Sequence, residues 1–242
     1  MPDPTPGPGS LRRNLHVLAT DYDGTLATHG FVGASTRDAL RRLKAAGWRL
    51  VMVTGRVMPE LVDVFPQLDL FDLVVAENGA MLYRPRDGEE RLLAAAPPVS
   101  FVEALRGRGV EPLSVGRVVV ATLEVNEDIV ADAIRADGHA LEIILNKGSV
   151  MVLPSGVDKA TGLRAAVEEL GLPLSSVAGV GDAENDRAFL EACGYSVAVG
   201  NALPELKGQV DLVTRERHGE GVEELIAVLL GESTGTEAIS PA

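Results

Sequence analysis

Short apolar runs alternate along this chain with stretches whose apolar positions recur at helical spacing. Leu15 to Thr20 is the first run; Ser35 then opens a Ser-x-x-Asp box with Asp38, a periodic helix runs to Ala46, and Gly47 closes it. Trp48 to Val53 is the next strand, Met58 to Phe65 a helix stopped near Pro66, and Asp72 to Ala76 a third strand. The rhythm resumes with a helix from Asp158 to Leu170 closed by Gly171, a strand Val177 to Val180 and a helix Asp186 to Cys193. Strands Tyr195 to Val199 and Val210 to Val213 and a helix Val222 to Leu230 complete it. Such alternation predicts a parallel sheet with helices on both faces.

The middle of the chain breaks this rhythm. Asn78-Gly79 is a tight-turn signal, and Met81 to Tyr83 with Arg91 to Leu93 form an expected hairpin around Arg86-Asp87-Gly88. After Pro97-Pro98 come a helix (Ser100 to Arg106), an alternating strand (Arg117 to Val125), a helix (Glu127 to Ala136) and two strands (Leu141 to Leu145, Ser149 to Leu153). This reads as a small α+β domain, residues 85–153, inserted into an α/β core formed by residues 11–84 and 154–231. The ends, 1–10 and 232–242, are small and polar and are expected to be disordered tails.

Charge and cysteine content narrow the partners. Thirty-five acids against 22 Lys and Arg give a net charge of -13, the wrong sign for a nucleic-acid partner, whose phosphates call for clustered cations. The single cysteine, Cys193, cannot pair within the chain and lies in an apolar helical setting, which fits a reducing compartment. No apolar run approaches the roughly 18 to 20 residues of a membrane span, and no charged segment followed by an apolar run opens the chain. A soluble cytoplasmic protein without a membrane partner is therefore expected, with a homodimer as a candidate assembly.

The polar residues that carry chemistry stand just past the C-terminal ends of the expected parallel strands. Asp21 and Asp23 follow the first; Thr54, Gly55 and Arg56 the second; Gly181, Asp182, Asn185 and Asp186 a later one. That edge is where open α/β sheets bind ligands. Four converging carboxylates need relief, since each like-charge pair near 4 Å costs about 4 kcal/mol at an effective dielectric of about 20. An all-oxygen set without a His or Cys cluster suits a hard cation that keeps its waters, Mg²⁺ ahead of Ca²⁺. A hard cation, a nucleophilic carboxylate, a hydroxyl and a lysine together are the parts of a phosphoryl-transfer site. Gly24 and Gly55 would let backbone approach phosphate oxygens, and Lys159 would add a point charge.

These motifs resemble the haloacid dehalogenase superfamily of phosphatases, in its Cof-like group with an α+β cap of the C2 (IIB) type. The resemblance rests on DYDGTL (Asp21 to Leu26), VTGR (Val53 to Arg56), DK (Asp158, Lys159) and GDAEND (Gly181 to Asp186), and extends through ENGA (Glu77 to Ala80) and VAVGNALPELKGQVDLVT (Val197 to Thr214). It implies a Rossmann-like core with an inserted cap. It further implies that Asp21 is the nucleophile, forming an aspartyl-phosphate and binding Mg²⁺, while Asp23 is general acid and base and lends its backbone carbonyl to the metal. Thr54, Gly55 and Lys159 would hold the phosphoryl group, Asp182 would ligate Mg²⁺, and Asp186 would support the ion, with Asn185 and Arg56 nearby. The spacing agrees, because residues two apart on an extended backbone share a side.

The function implied is hydrolysis of a small phosphorylated metabolite. Relatives with similarly short caps put phosphoglycolate first, ahead of sugar phosphates. A phosphomutase would need a tight cationic cluster in the cap, and the insert's basic residues are dispersed among acids. A non-catalytic phosphate-binding module would have lost at least one of Asp21, Asp23, Lys159 or Asp182, and all are present. Asn78-Gly79 reads most simply as a hairpin turn, Lys147 and Arg117 as a solvated face, and His16, His29, His139 and His218 as structural or exposed.

Overall fold

A computed structural model describes residues 14–232, so the expected tails, apart from Glu232, lie outside the described residues. The chain runs β1 (Val17–Asp21), α1 (Ala34–Ala45), β2 (Arg49–Val53), α2 (Met58–Val64), β3 (Leu73–Ala76), β4 (Met81–Arg84) and β5 (Glu89–Leu92). There follow α3 (Val99–Gly107), β6 (Ser114–Val115), β7 (Val120–Leu123), α4 (Glu127–Asp137), β8 (Leu141–Asn146) and β9 (Ser149–Pro154). The last part is α5 (Lys159–Glu169), β10 (Val177–Gly181), α6 (Arg187–Ala192), β11 (Tyr195–Ala198), α7 (Pro204–Lys207), β12 (Leu212–Val213) and α8 (His218–Leu230).

An eight-stranded sheet in the order β12-β11-β10-β1-β2-β3-β4-β5 forms the larger layer, and a four-stranded antiparallel sheet, β6-β7-β9-β8, the smaller. The six strands from β12 to β3 are mutually parallel. Pleating explains why their apolar runs are continuous: Leu18, Leu50 and Met52 enter one core with Leu40, Leu43 and Leu225, while Val17, Ala19, Val51 and Val53 enter the other with Leu163, Val167 and Phe189. A strand covered on both faces has no polar side, so every residue of β1 is buried, including Asp21. In the small sheet Val120, Val150 and Val152 pack under Phe101, Leu105 and Val130 of the two helices. No helix among the described residues is long and apolar enough to cross a membrane.

Several expectations are corrected. The Ser35–Asp38 box does not form: α1 starts at Ala34 behind Gly33 without a side-chain cap, Asp38 pairs with Arg41, and Thr36 donates to Glu223 Oε1 of α8 at 2.7 Å. The capping box that does form is Asp158 with Thr161, ahead of Lys159. Asp186 belongs to a 3₁₀ turn, Glu184–Asp186, before α6, and the strand expected over 210–213 narrows to β12. The 81–93 hairpin is present, but β5 extends the large sheet, so the expected insert boundary at Arg84 falls inside a core hairpin. The strand expected over 117–125 is shortened to β7, because the N–H groups of Arg117, Val118 and Val119 turn away to the Glu77 carboxylate.

Asn78-Gly79 does join antiparallel strands, β3 and β4, but through a wider turn in which Glu77, Asn78 and Gly79 all have positive φ (51°, 55° and 106°). A Cβ on Gly79 would strike the carbonyl of Asp158, and one on Gly162 would lie 2.6 Å from Gly79 Cα. These two glycines let the start of α5 lie directly on the turn, which fixes where Lys159 emerges. Helix propensity alone favours alanine over glycine by about 1 kcal/mol, yet overpacking against backbone costs about 1–3 kcal/mol or more. Gly162→Ala is therefore expected to lower the chemical-denaturation midpoint; an unchanged or raised midpoint would show that α5 is free to back away.

Candidate active site

β1, β2 and β10 are neighbours in the sheet, and their C-terminal ends bring together what lies far apart in sequence. Ligand oxygens of Asp21, Asp182 and Asp186 lie within 4.8 Å of one another, and all three residues are buried. The Lys159 ammonium stands between two of them, 2.6 Å from Asp21 Oδ1 and 2.5 Å from Asp186 Oδ1. The other Asp186 oxygen accepts from the backbone N–H groups of Asp182 (2.8 Å) and Ala183 (2.9 Å), so this carboxylate braces its own loop.

Asp182 is held by Thr25 Oγ1 (3.1 Å), Asn201 Nδ2 (3.2 Å) and the Lys147 ammonium, which reaches in from the small sheet. Asn201 Nδ2 also donates to the Gly24 carbonyl at 2.7 Å, and Asn201 Oδ1 accepts from His218 N at 2.8 Å. His218 Nδ1 lies 2.9 Å from that same carbonyl, which places a proton on this nitrogen. Gly24 has φ +85°, and a Cβ there would collide with Asp182 and with Lys147, so only glycine fits.

Asp23 stands outside the acid cluster. Its carboxylate takes a two-pronged bond from Arg56, Nε to Oδ2 at 2.6 Å and Nη2 to Oδ1 at 2.7 Å, with the side chain 42% exposed toward the cavity. Thr54 is buried, and its hydroxyl accepts from Arg56 N at 3.1 Å, so it shapes the 54–56 turn. Asn185 donates to Asn78 Oδ1 at 2.9 Å, and its own Oδ1 is buried with no partner among the described residues.

A cavity of about 350 Å³ lies over these groups, floored by Asp21, Asp23, Gly55 and Arg56 and roofed by the small sheet through Val119, Ala121, Asn146, Lys147, Ser149 and Met151. Met151 closes on the 54–56 turn: a Cβ on Gly55 would lie 2.7 Å from its Cε. Larger hollows of about 450 and 490 Å³ exist elsewhere, one among Lys44, Arg49 and Glu169 at the opposite ends of the strands, the other beside α2, and neither reaches the acid cluster.

Electrostatics follow from two ammoniums facing three buried carboxylates, Lys159 between Asp21 and Asp186 and Lys147 on Asp182. Burial, then the neighbouring Asp186, push the Asp21 carboxyl up to about 8 even though Lys159 pulls the other way. Burial works against the Lys159 charge, but Asp186 and Asp21 outweigh it and hold the ammonium above its ordinary range. Asp182 is also raised, by burial, against the opposing pull of Lys147. Lys159 is thus held in its charged form, while burial and Asp186 favour the protonated form of Asp21. The donor set fits a hard divalent cation: three buried carboxylates, an unpartnered amide oxygen on Asn185 and an ammonium already drawn onto Asp182.

The profile of the haloacid dehalogenase-like hydrolases matches residues 18–101 and 121–226, which span this site and both sheets. The chain belongs to that family. The hydrolase is 31% identical over 225 residues to a phosphoglycolate phosphatase of Methanothermobacter thermautotrophicus, covering 90% of this chain and all of the relative. In fold it resembles a haloacid dehalogenase-like hydrolase of Bacteroides thetaiotaomicron (TM-score 0.74, 20% identity, 88% of this chain and 98% of that one). It also resembles a subclass IIB sugar phosphatase of the superfamily (TM-score 0.71, 20% identity, 87% and 97% covered).

The hydrolase site contains groups that motif reading passes over. Glu77, Asn201, His218 and Lys147 all take part, yet three of them act through backbone carbonyls or N–H groups, which leave no side-chain pattern. Lys147-Gly148 between two alternating strands does signal a hairpin tip; where that tip points is not legible. A pH dependence follows from the Asp21 shift. Unfolded, its carboxyl titrates near 3.9; folded and metal-free, near 8. The folded state then binds the extra proton, so this contribution to stability is present at low pH and is lost as pH rises toward 8. In EDTA, the denaturation midpoint should fall between about pH 5 and pH 8, and Asp21→Asn should flatten that fall. Parallel slopes in wild type and variant would refute the assignment.

Proposed function

We propose that this haloacid dehalogenase-type phosphatase is Mg²⁺-dependent and hydrolyses a small phosphorylated metabolite through an aspartyl-phosphate on Asp21. The observation that carries the reading is the placement of Asp21, paired with Lys159 beside two further buried acids, on the floor of a cavity roofed by the small sheet that Asp23 also enters. Asp21 and Asp182 would hold Mg²⁺, with the Asp23 carbonyl, Asp186 and Asn185 in support, and the ion would neutralise charge on the carboxylates and the phosphoryl oxygens.

Ionised Asp21 attacks phosphorus, the phosphorus–ester oxygen bond breaks, and Asp23 gives the leaving oxygen its proton. Water then attacks the same phosphorus from outside, Asp23 takes its proton, and the bond to Asp21 breaks to release inorganic phosphate. Lys159, the Thr54 hydroxyl and the Gly55 N–H hold the equatorial oxygens. Arg56 aims Asp23 in the unliganded cavity; an arriving phosphoryl group competes for that guanidinium and frees Asp23 to exchange a proton. Met151, Val119 and Ala121 exclude bulk water from the roof.

The cavity is at the small end of ligand sites, roughly 300–1,000 Å³, which favours a two- or three-carbon ester. Phosphoglycolate is the first candidate, in line with the named activity of the M. thermautotrophicus relative. A second phosphate, as a mutase requires, would find one roof cation, Lys147.

Inorganic phosphate release from para-nitrophenyl phosphate and from a metabolite panel, with Mg²⁺ or EDTA, tests the reading. Turnover should need Mg²⁺, and Asp21→Asn should lower kcat by about 10³-fold or more. Asp23→Ala should cost about 10²–10⁴-fold, most for esters with poor leaving groups. A folded, metal-loaded protein that releases no phosphate from any monoester sinks it.

A further inference from the structure

Lys147 is the least expected member of the site, and its setting argues for a task of its own. β8 and β9 pair along their full length from Leu141↔Pro154 to Asn146↔Ser149, leaving Lys147-Gly148 as a two-residue tip. Both tip residues have positive φ, 46° and 82°, the pattern of a type I′ turn whose twist matches the strands it joins. The tip is therefore a stiff projection, and it delivers one ammonium into the cavity.

That ammonium rests on Asp182, although Asp182 has Thr25 and Asn201 as further partners and the lysine side chain remains 42% exposed. A divalent cation bound by Asp21 and Asp182 would compete for the same carboxylate and release the lysine. Among the described residues lining the cavity the cations are Arg56 and Lys147, and Arg56 is engaged on the floor with Asp23. Lys147 is thus the roof's positive charge. Ser149 stands at the base of the same tip, paired with Asn146, and the far wall of the cavity carries Glu60, toward which the Ser114 hydroxyl points.

We propose that Lys147 is a specificity-determining residue that moves from Asp182 to a carboxylate on the leaving-group side of the substrate. It makes this hydrolase selective for small phosphate esters that carry one. The inference rests on the phosphatase reading above. One ammonium matches a single carboxylate better than a second phosphate, and a point charge on a flexible stem suits a receptor that must exchange partners.

The decisive comparison is between 2-phosphoglycolate and ethyl phosphate, which share a carbon skeleton and differ by the carboxylate. With Mg²⁺ bound, Lys147→Gln should lower the ratio of their kcat/KM values by about 10–100-fold, mainly through KM for phosphoglycolate, and Lys147→Arg should restore part of it. A second readout needs no turnover: calorimetric titration of Mg²⁺ into the substrate-free protein should show tighter binding in Lys147→Gln, because the ammonium no longer competes for Asp182. A ratio that stays within about twofold of wild type overturns the specificity role, as does a wild-type preference for ethyl phosphate. Unchanged Mg²⁺ affinity overturns the resting pair. Failure of the wild type on every monoester would instead remove the phosphatase reading. Thermal melts verify that both variants, altered at an exposed hairpin tip, are folded.

Discussion

Lys159 lies out of water between Asp21 and Asp186, and the rest of the site is arranged around the charge imbalance that remains. Three carboxylates at the end of a doubly covered sheet would drive that edge apart or force it to take up protons. Lys159, with Lys147 on Asp182, offsets part of the repulsion and leaves a deficit, expressed in the raised carboxyls of Asp21 and Asp182. An ion pair this buried contributes little net stability after desolvation. What it provides is a place where added positive charge is strongly favoured and an anion can then follow. The fold maintains that place through close backbone approach, with Gly79 and Gly162 seating α5 so that its first residue points into the cluster.

The parallel core was readable because strands buried on both faces admit few polar residues, which leaves Asp21, Thr54 and Asp182 conspicuous at their ends. Asp158 and Lys159 were legible for a related reason, since a lysine opening a helix runs against the helix dipole and calls for a compensating partner. Ser35 misled because a capping box is a local preference, and here the contact of Thr36 with α8 sets where the helix begins. The strand over 117–125 was overextended for a different reason. Alternation reports which side chains are apolar and says nothing of where the backbone N–H groups go.

The same blindness hid the supporting cast. Asn201 and His218 matter by converging on the carbonyl of Gly24, and a carbonyl has no letter in a sequence. Lys147 reads as part of a solvated face, because its reach depends on how the small sheet is seated on the large one. Glu77 contributes to that seating, beside the packing of Ala80 with Val118, Val119, Met151 and Leu153.

Glu77 has a mechanical consequence. Its buried carboxylate gathers the N–H groups of residues 117–119 at one end of β7, and Gly116 packs so tightly that a Cβ would lie 2.7 Å from it. The other end of β7 pairs with Ser149, beside the Lys147 tip. The anchored end and the working end are thus separated by the four residues of β7, roughly 14 Å of strand. The reach of the Lys147 tip over the cavity thus depends in part on a carboxylate that does not itself line the cavity.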